Sequence, residues 1–217
     1  MKLHLTVHDA RSGRESFRVV RPASPPAHAE LFDDSWYLNA YLDREAAHLM
    51  AGLWTLAASS PRTLIHLPLR TAGGRTPGDR ALDLVLLHHS LQFAPAHWKR
   101  LRARLGPGRP RTVDLRPPEP REETDGTHPP YAGDRDRFHQ HIHAETLFLT
   151  GSAPLFRRGA ALLRDVALGG PAHRRTPARH GHYCREIDCG IHFRGLHVEY
   201  LDPADDQDRY RTGNGPG

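Results

Sequence analysis

Lysine is nearly missing from this chain. Of 30 basic residues in 217, only Lys2 and Lys99 are lysines, and the other 28 are arginines. Chemistry that needs a lysine therefore has almost nothing to use, whether a Schiff base, a P-loop or a PD-(D/E)xK nuclease centre. Neither GxxxxGK[ST] nor GxGxxG occurs. Cysteine is as scarce: Cys184 and Cys189 cannot form a disulfide framework, and the expectation is reduced thiols in a soluble, cytoplasmic protein. No apolar run approaches the length that crosses a bilayer. The opening MKLHLTVHD alternates like a strand, without the charged segment and continuous apolar run of a signal peptide, so none is expected. Hydrophobic residues are only 38% of the chain. The deficit falls mainly in two stretches, 106–137 and 203–217.

A formal charge of +5 invites a polyanion partner. Arginine, alanine, glycine and proline all have GC-rich codons, however, so a GC-rich genome yields this balance with no polyanion involved. Net charge informs about solubility and non-specific association, not about a site. The partner expected is a small molecule or a protein; membrane and nucleic acid are not expected.

Taken in order, Leu3, Leu5 and Val7 alternate with polar residues, as do Phe17 and Val19 after Ser12-Gly13, predicting a hairpin with a loop longer than two residues. Asp33-Asp34-Ser35 are good caps for a helical region whose apolar face runs from Leu42 to Ala57. Thr63 to Leu69 reads as a strand that Pro68 places at an edge or bulge. Ala81 to Leu87 is apolar on both faces and reads as a central strand. A short helix over 95–105 puts Trp98, Leu101 and Leu105 inward and a basic surface of Lys99, Arg100, Arg102 and Arg104 outward, and Thr112 to Leu115 adds a brief strand. Phe138 to Thr150 alternates with period two and reads as one strand. It feeds a helix capped by Ser152, with Pro154 in its first turn and a stop at Gly169-Gly170-Pro171. Strands follow at His182 to Asp188 and Leu196 to Leu201.

This order predicts an α+β (or α/β) fold: a single mixed sheet of about seven strands with three main helices, and a ferredoxin-like βαββαβ order in the first half. The expected organisation is a single domain over 1–202, with an exposed proline- and charge-rich insertion at 106–137, where seven prolines lie between Pro107 and Pro130. Residues 203–217 read as a disordered tail.

Seventeen histidines are the compositional anomaly. Histidine is the commonest metal ligand and a general base near neutral pH. One group is His139, His141, His143 and Glu145. The other is His180, His182, Cys184, Cys189 and His192. Alternate residues of a strand lie about 6.6 Å apart, so His141 and His143 can converge on one ion, whereas the whole row cannot unless the chain bends. His141 and His143 are therefore the expected ligands, and a divalent metal the expected cofactor, if one binds. Cys-x4-Cys is not a usual zinc spacing, and on one strand those thiols fall on opposite faces. Asp83, set in an apolar strand, needs a partner; an ion-paired carboxylate is favoured over a strand-end catalytic acid. Glu186, Asp188 and Glu199 can face one another across the last hairpin. The helix start at Ser152 suits an anion only if Arg157, Arg158 or the His173–Arg175 loop converges on it.

The spacing Gly133-x5-His139-x-His141-x3-Glu145 resembles the first motif of the cupin family. The resemblance implies a metal held by His139, His141 and Glu145, with His173 as the later ligand.

No substrate or reaction can be read from these residues. Two function classes stand side by side. The first is a small-molecule enzyme or ligand-binding protein with a His-rich, metal-binding pocket between the 139–145 strand and the last hairpin. The second is a non-catalytic interaction or regulatory protein that meets its partner through the basic helix and the proline-rich segment.

Overall fold

The computed structural model describes residues 1–34, 36–70, 80–120, 136–175, 182–187, 189 and 194–202. Strands β1 (Lys2–Ser12) and β2 (Glu15–Pro22) form the first hairpin, in register from Leu5 opposite Pro22 to Ser12 opposite Glu15. The loop has two residues, not more. Gly13 at φ 63° supplies the left-handed first position that a type II′ turn requires.

The fold is α+β, but its strands divide between two mixed sheets instead of one. Strand β3 (Ala29–Asp33) precedes strand β4 (Leu38–Leu42), which occupies the stretch expected to begin a helix. Leu38, Ala40 and Leu42 alternate inward, and helix α1 (Arg44–Ser59) starts only at Asp43, whose Oδ1 accepts from the Ala46 N–H at 2.7 Å. The ferredoxin-like order is not confirmed, because this unforeseen pair leaves the first sheet and joins a second one. Strands β5 (Thr63–Leu67), β6 (Arg80–Ala81) and β7 (Asp83–His88) follow, then a 3-10 turn (Pro95–His97), helix α2 (Trp98–Arg102) and strand β8 (Arg109–Asp114). Strand β5 is interior to its sheet, and Pro68 lies just beyond its end. Strand β8 makes the beginning of the supposed insertion an edge strand paired with β1.

Phe138 to Thr150 is a hairpin, not one strand. Strands β9 (His139–His143) and β10 (Thr146–Gly151) are joined by Ala144 and Glu145, at φ 48° and 56°. Two consecutive positive φ angles are the signature of a type I′ turn. No glycine or asparagine marks it, so alternation ran straight through. Helix α3 (Ala153–Arg174) begins as expected, with Ser152 accepting from the Leu155 N–H, but it continues past Gly169, Gly170 and Pro171. Those glycines are seats: a Cβ on Gly169 would overlap the Tyr183 hydroxyl, and one on Gly170 the Tyr200 ring. Strands β11 (Cys184–Ile187) and β12 (Leu196–Tyr200) close the described chain.

The seven-stranded sheet runs β8-β1-β2-β5-β7-β10-β9 and the five-stranded sheet β11-β12-β4-β3-β6. Helices α1 and α3 pack on each other, α1 touches β5 and β7 of one sheet and β4 of the other, and α3 lies on β11 and β12. One hydrophobic cluster joins both helices with residues of both sheets, from Leu3 and Leu5 to Leu196 and Val198. At its centre Trp54 of α1 meets Phe138 and Phe156 edge-on at 5.5 and 5.6 Å. A smaller cluster lies on the opposite face of the seven-stranded sheet, where Trp98 and Leu101 of α2 cover Val85 and Phe148. Among the described residues no helix is long and apolar enough to cross a membrane. The tail from 203, residues 121–135 of the insertion, and Gly133, Asp188, His180 and His192 lie outside the described residues.

Candidate metal centre

The last hairpin builds the site by strand alternation. Ile187, Leu196, Val198 and Tyr200 point into the core, so Cys184, Glu186, His197 and Glu199 share the other face. Cys184 stands opposite Glu199, and Glu186 opposite His197. His182, two residues before Cys184, keeps the same parity. The ligand atoms of His182, Cys184 and His197 all lie within 4.8 Å of one another, and the two imidazole centroids are 5.6 Å apart. Strand β4 continues the face, with Asn39 beside His197 and Tyr41 beside Glu199.

Burial, the Glu199 carboxylate and Glu186 together raise the Cys184 thiol above its ordinary range, against the opposing pull of Arg185. Without metal the group is a protonated thiol, and an ion that binds it displaces that proton. Cys189 is fully buried in the core. Strand β11 ends at Ile187, so the two cysteines do not share the one strand that the expectation of opposite faces assumed.

Strand β11 is tied to α3 from its inner face. Tyr183 Oη donates to Asp165 at 2.8 Å, and Arg185 Nε pairs with the same carboxylate oxygen at 2.7 Å. The Arg185 guanidinium lies 4.7 Å from the Tyr183 ring centroid and donates to the Cys184 carbonyl at 2.8 Å.

The first histidine group stands elsewhere. His141 and His143 lie on edge strand β9 with stacked rings 6.2 Å apart. His141 pairs with Phe148, which belongs to the smaller cluster, whereas Ile142 packs on the large one. Gln140, of the same parity as Ile142, reaches the Arg194 carbonyl beside the last hairpin at 2.6 Å. His141 and His143 therefore face away from that hairpin, and among the described residues no pocket joins the two. Glu145 lies in the β9–β10 turn with its carboxylate on Arg70. His173, near the end of α3, packs against Tyr183 at 5.5 Å. Of the four residues implied by the cupin resemblance, His139 and His141 share β9, whereas Glu145 is held by Arg70 and His173 lies by Tyr183. The sheets also contain parallel pairs, unlike the antiparallel jelly roll of that family.

A second polar cluster gathers around Asp83. Its Oδ1 accepts from the Leu69 and Arg70 N–H groups at 3.1 and 3.2 Å, and its Oδ2 faces Arg102 at 3.0 Å, Arg70 at 3.2 Å and His66 Nε2 at 3.6 Å. Burial alone would raise this carboxyl, but His66, the Arg70 N–H and the Arg70 charge prevail and hold it at about 2. The ion-paired expectation for Asp83 is met. His66 is pushed down, first by burial and then by Arg21, against the pull of Asp83. Arg21 Nε donates to His66 Nδ1 at 2.8 Å. A guanidinium has no lone pair to offer, so the imidazole proton is assigned to Nε2, facing Asp83. Both nitrogens of this buried imidazole are turned to protein groups, Arg21 and Asp83. The helix start at Ser152 is likewise occupied, because its hydroxyl meets the Asp136 carboxylate.

His197 was not singled out in the sequence, because it lies beyond the His180–His192 group; its alternation with Val198 in the last strand was the available signal. His66 was hidden inside an otherwise apolar strand, TLIHL. No protein-family model, curated protein or solved structure matches this chain.

Proposed function

We propose that this protein binds a thiophilic divalent metal, of the zinc class, through His182, Cys184 and His197. On this reading it acts as a metal-dependent small-molecule-binding protein or enzyme. The carrying observation is the convergence of three ligand atoms of the right kinds within 4.8 Å on one face of the last hairpin. Ligands bound tetrahedrally at 2.0–2.3 Å from zinc are about 3.5 Å apart, so side-chain rotations of about an ångström close the set. Thiolate and imidazole favour zinc or copper over magnesium and calcium. Among the described residues three protein ligands converge, and three leave one coordination position for water or a small molecule, the arrangement of catalytic rather than structural zinc sites. The earlier pair, His141 and His143, offers two imidazoles on the far face, and among the described residues no third donor joins them.

The test is metal analysis of protein purified without chelator, followed by zinc titration. One equivalent lost on Cys184→Ser and on His197→Ala supports the reading. Zinc bound equally well by both variants, or by neither variant nor the wild type, ends it.

A second reading, a non-catalytic interaction protein, draws on the connection between β3 and β4. Trp36 and Tyr37 are 80% and 53% exposed there. The basic helix gives it less support than the sequence suggested, since Arg102 is bound to Asp83 and Arg100 reaches the Ser12 hydroxyl at 3.2 Å.

A further inference from the structure

The ligand-bearing strand β11 has only four residues and forms the edge of its sheet. Among the described residues it is paired on one side alone, and such a strand has little of its own to hold Cys184 at a fixed separation from His182, which precedes it. Its inner face supplies what the ladder lacks. Tyr183 and Arg185 flank Cys184, and both end on one carboxylate oxygen of Asp165. Arg185 also donates to the Tyr183 hydroxyl at 3.0 Å and to the carbonyl of Cys184 itself at 2.8 Å. A single acidic residue of α3 thus fixes the backbone on both sides of the thiol and, through Tyr183, the residue that follows His182. Gly169, one turn further along the helix, leaves the space that lets the Tyr183 hydroxyl approach.

We infer that Asp165 is a positioning residue for the metal centre, holding His182 and Cys184 in the separation that lets His197 complete the trio. The inference rests on the metal reading above and adds a coupling to it. Metal affinity at the outer face of the sheet depends on a carboxylate that the metal never touches, on the helix behind it. By linkage, metal binding in turn strengthens the docking of the hairpin on α3.

Cobalt(II) alone is the probe, because its thiolate charge-transfer absorption reports Cys184 as a ligand and its titration gives the affinity. The variants are Asp165→Asn, Tyr183→Phe and Cys184→Ser. Arg164→Ala is the control: Arg164 is the neighbouring residue, but it contacts the Pro117 carbonyl and Glu119, not the hairpin. The expected result is an unchanged charge-transfer band in Asp165→Asn with affinity about tenfold weaker, at the low end of the 10–100-fold loss typical when supporting partners of ligands are removed. Tyr183→Phe should weaken binding several-fold, and Arg164→Ala should leave it unchanged. Wild-type affinity in Asp165→Asn, or an equal loss in Arg164→Ala, overturns the positioning role while the metal site stands. If Asp165→Asn does not fold, Tyr183→Phe decides. A wild type with no cobalt–thiolate band, or a band that survives Cys184→Ser, overturns the metal reading and this inference with it.

Discussion

Asp83 at the head of β7 and Arg102 of α2 are joined at 3.0 Å across the smaller core, with the carboxylate 3% exposed. The pair anchors a short helix to the middle of the seven-stranded sheet, and four other groups share the same carboxylate.

The signs of the two shifts predict acid lability in two stages. His66 is held below its ordinary 6.5, so the unfolded chain takes up its proton first. Its contribution is complete above about pH 6.5 and is lost as the pH falls below that value. Asp83 lies at about 2 against 3.8. Its contribution, about 2 kcal/mol, is present above pH 4 and is lost as the pH falls through 2. Thermal unfolding followed from pH 8 to 2 should show a decline beginning below 6.5 and steepening below 4. Asp83→Asn should remove the second stage and destabilise the protein at pH 7 by about 2 kcal/mol, since it removes the charge that His66, Arg70 and Arg102 share. A melting temperature that stays flat down to pH 3 would refute this account.

Double substitution of His141 and His143 by alanine should leave zinc stoichiometry untouched, while His197→Ala should reduce it. The two groups face opposite sides of the molecule and cannot share an ion. Metal lost from the double variant and retained by His197→Ala would reverse the assignment.

Ala144→Gly should raise stability by about 0.5–1 kcal/mol in chemical denaturation. Left-handed backbone costs a non-glycine residue about 1–2 kcal/mol, and glycine returns part of that gain through its greater freedom when unfolded. Ala144 sits at φ 48°. A loss of stability would mean that its methyl group makes a contact worth more than the strain.

The same turn shows where sequence reading succeeds and where it stops. Within β10 the alternation held, with Leu147 and Leu149 on the large cluster and Phe148 on the smaller one, but a single strand would have set His141 on the face of Leu147, and the structure sets it beside Phe148. Alternation did not see the chain reverse, since Ala144-Glu145 is not turn chemistry, and the two-residue reversal pairs odd positions of β9 with even positions of β10. The capping serine of α3 was legible for a local reason: an N-cap needs only its own helix. The pair β3 and β4 was missed because each has five residues, and Leu42 fits a helix stripe as well as a strand. Cys184 and His182 were marked by closeness in sequence. His197 joins them only through the antiparallel register of β11 and β12, which no spacing encodes. Asp83 was readable as a charge needing a partner, but not which groups would supply one, since Arg70, Arg102 and His66 arrive from three separate segments.

The seven-stranded sheet ends in two unlike edges, and this bears on self-association. Strand β8 carries Pro110, which lacks a donor, between Arg109 and Arg111, and such an edge resists pairing with another copy. Strand β9, among the described residues, has no partner on its outer side and carries no lysine, arginine or proline, only three histidines, a glutamine and an isoleucine. That edge carries no such guard. Concentrated protein should aggregate through β9, and Gln140→Lys or His141→Lys should lower that aggregation in light scattering.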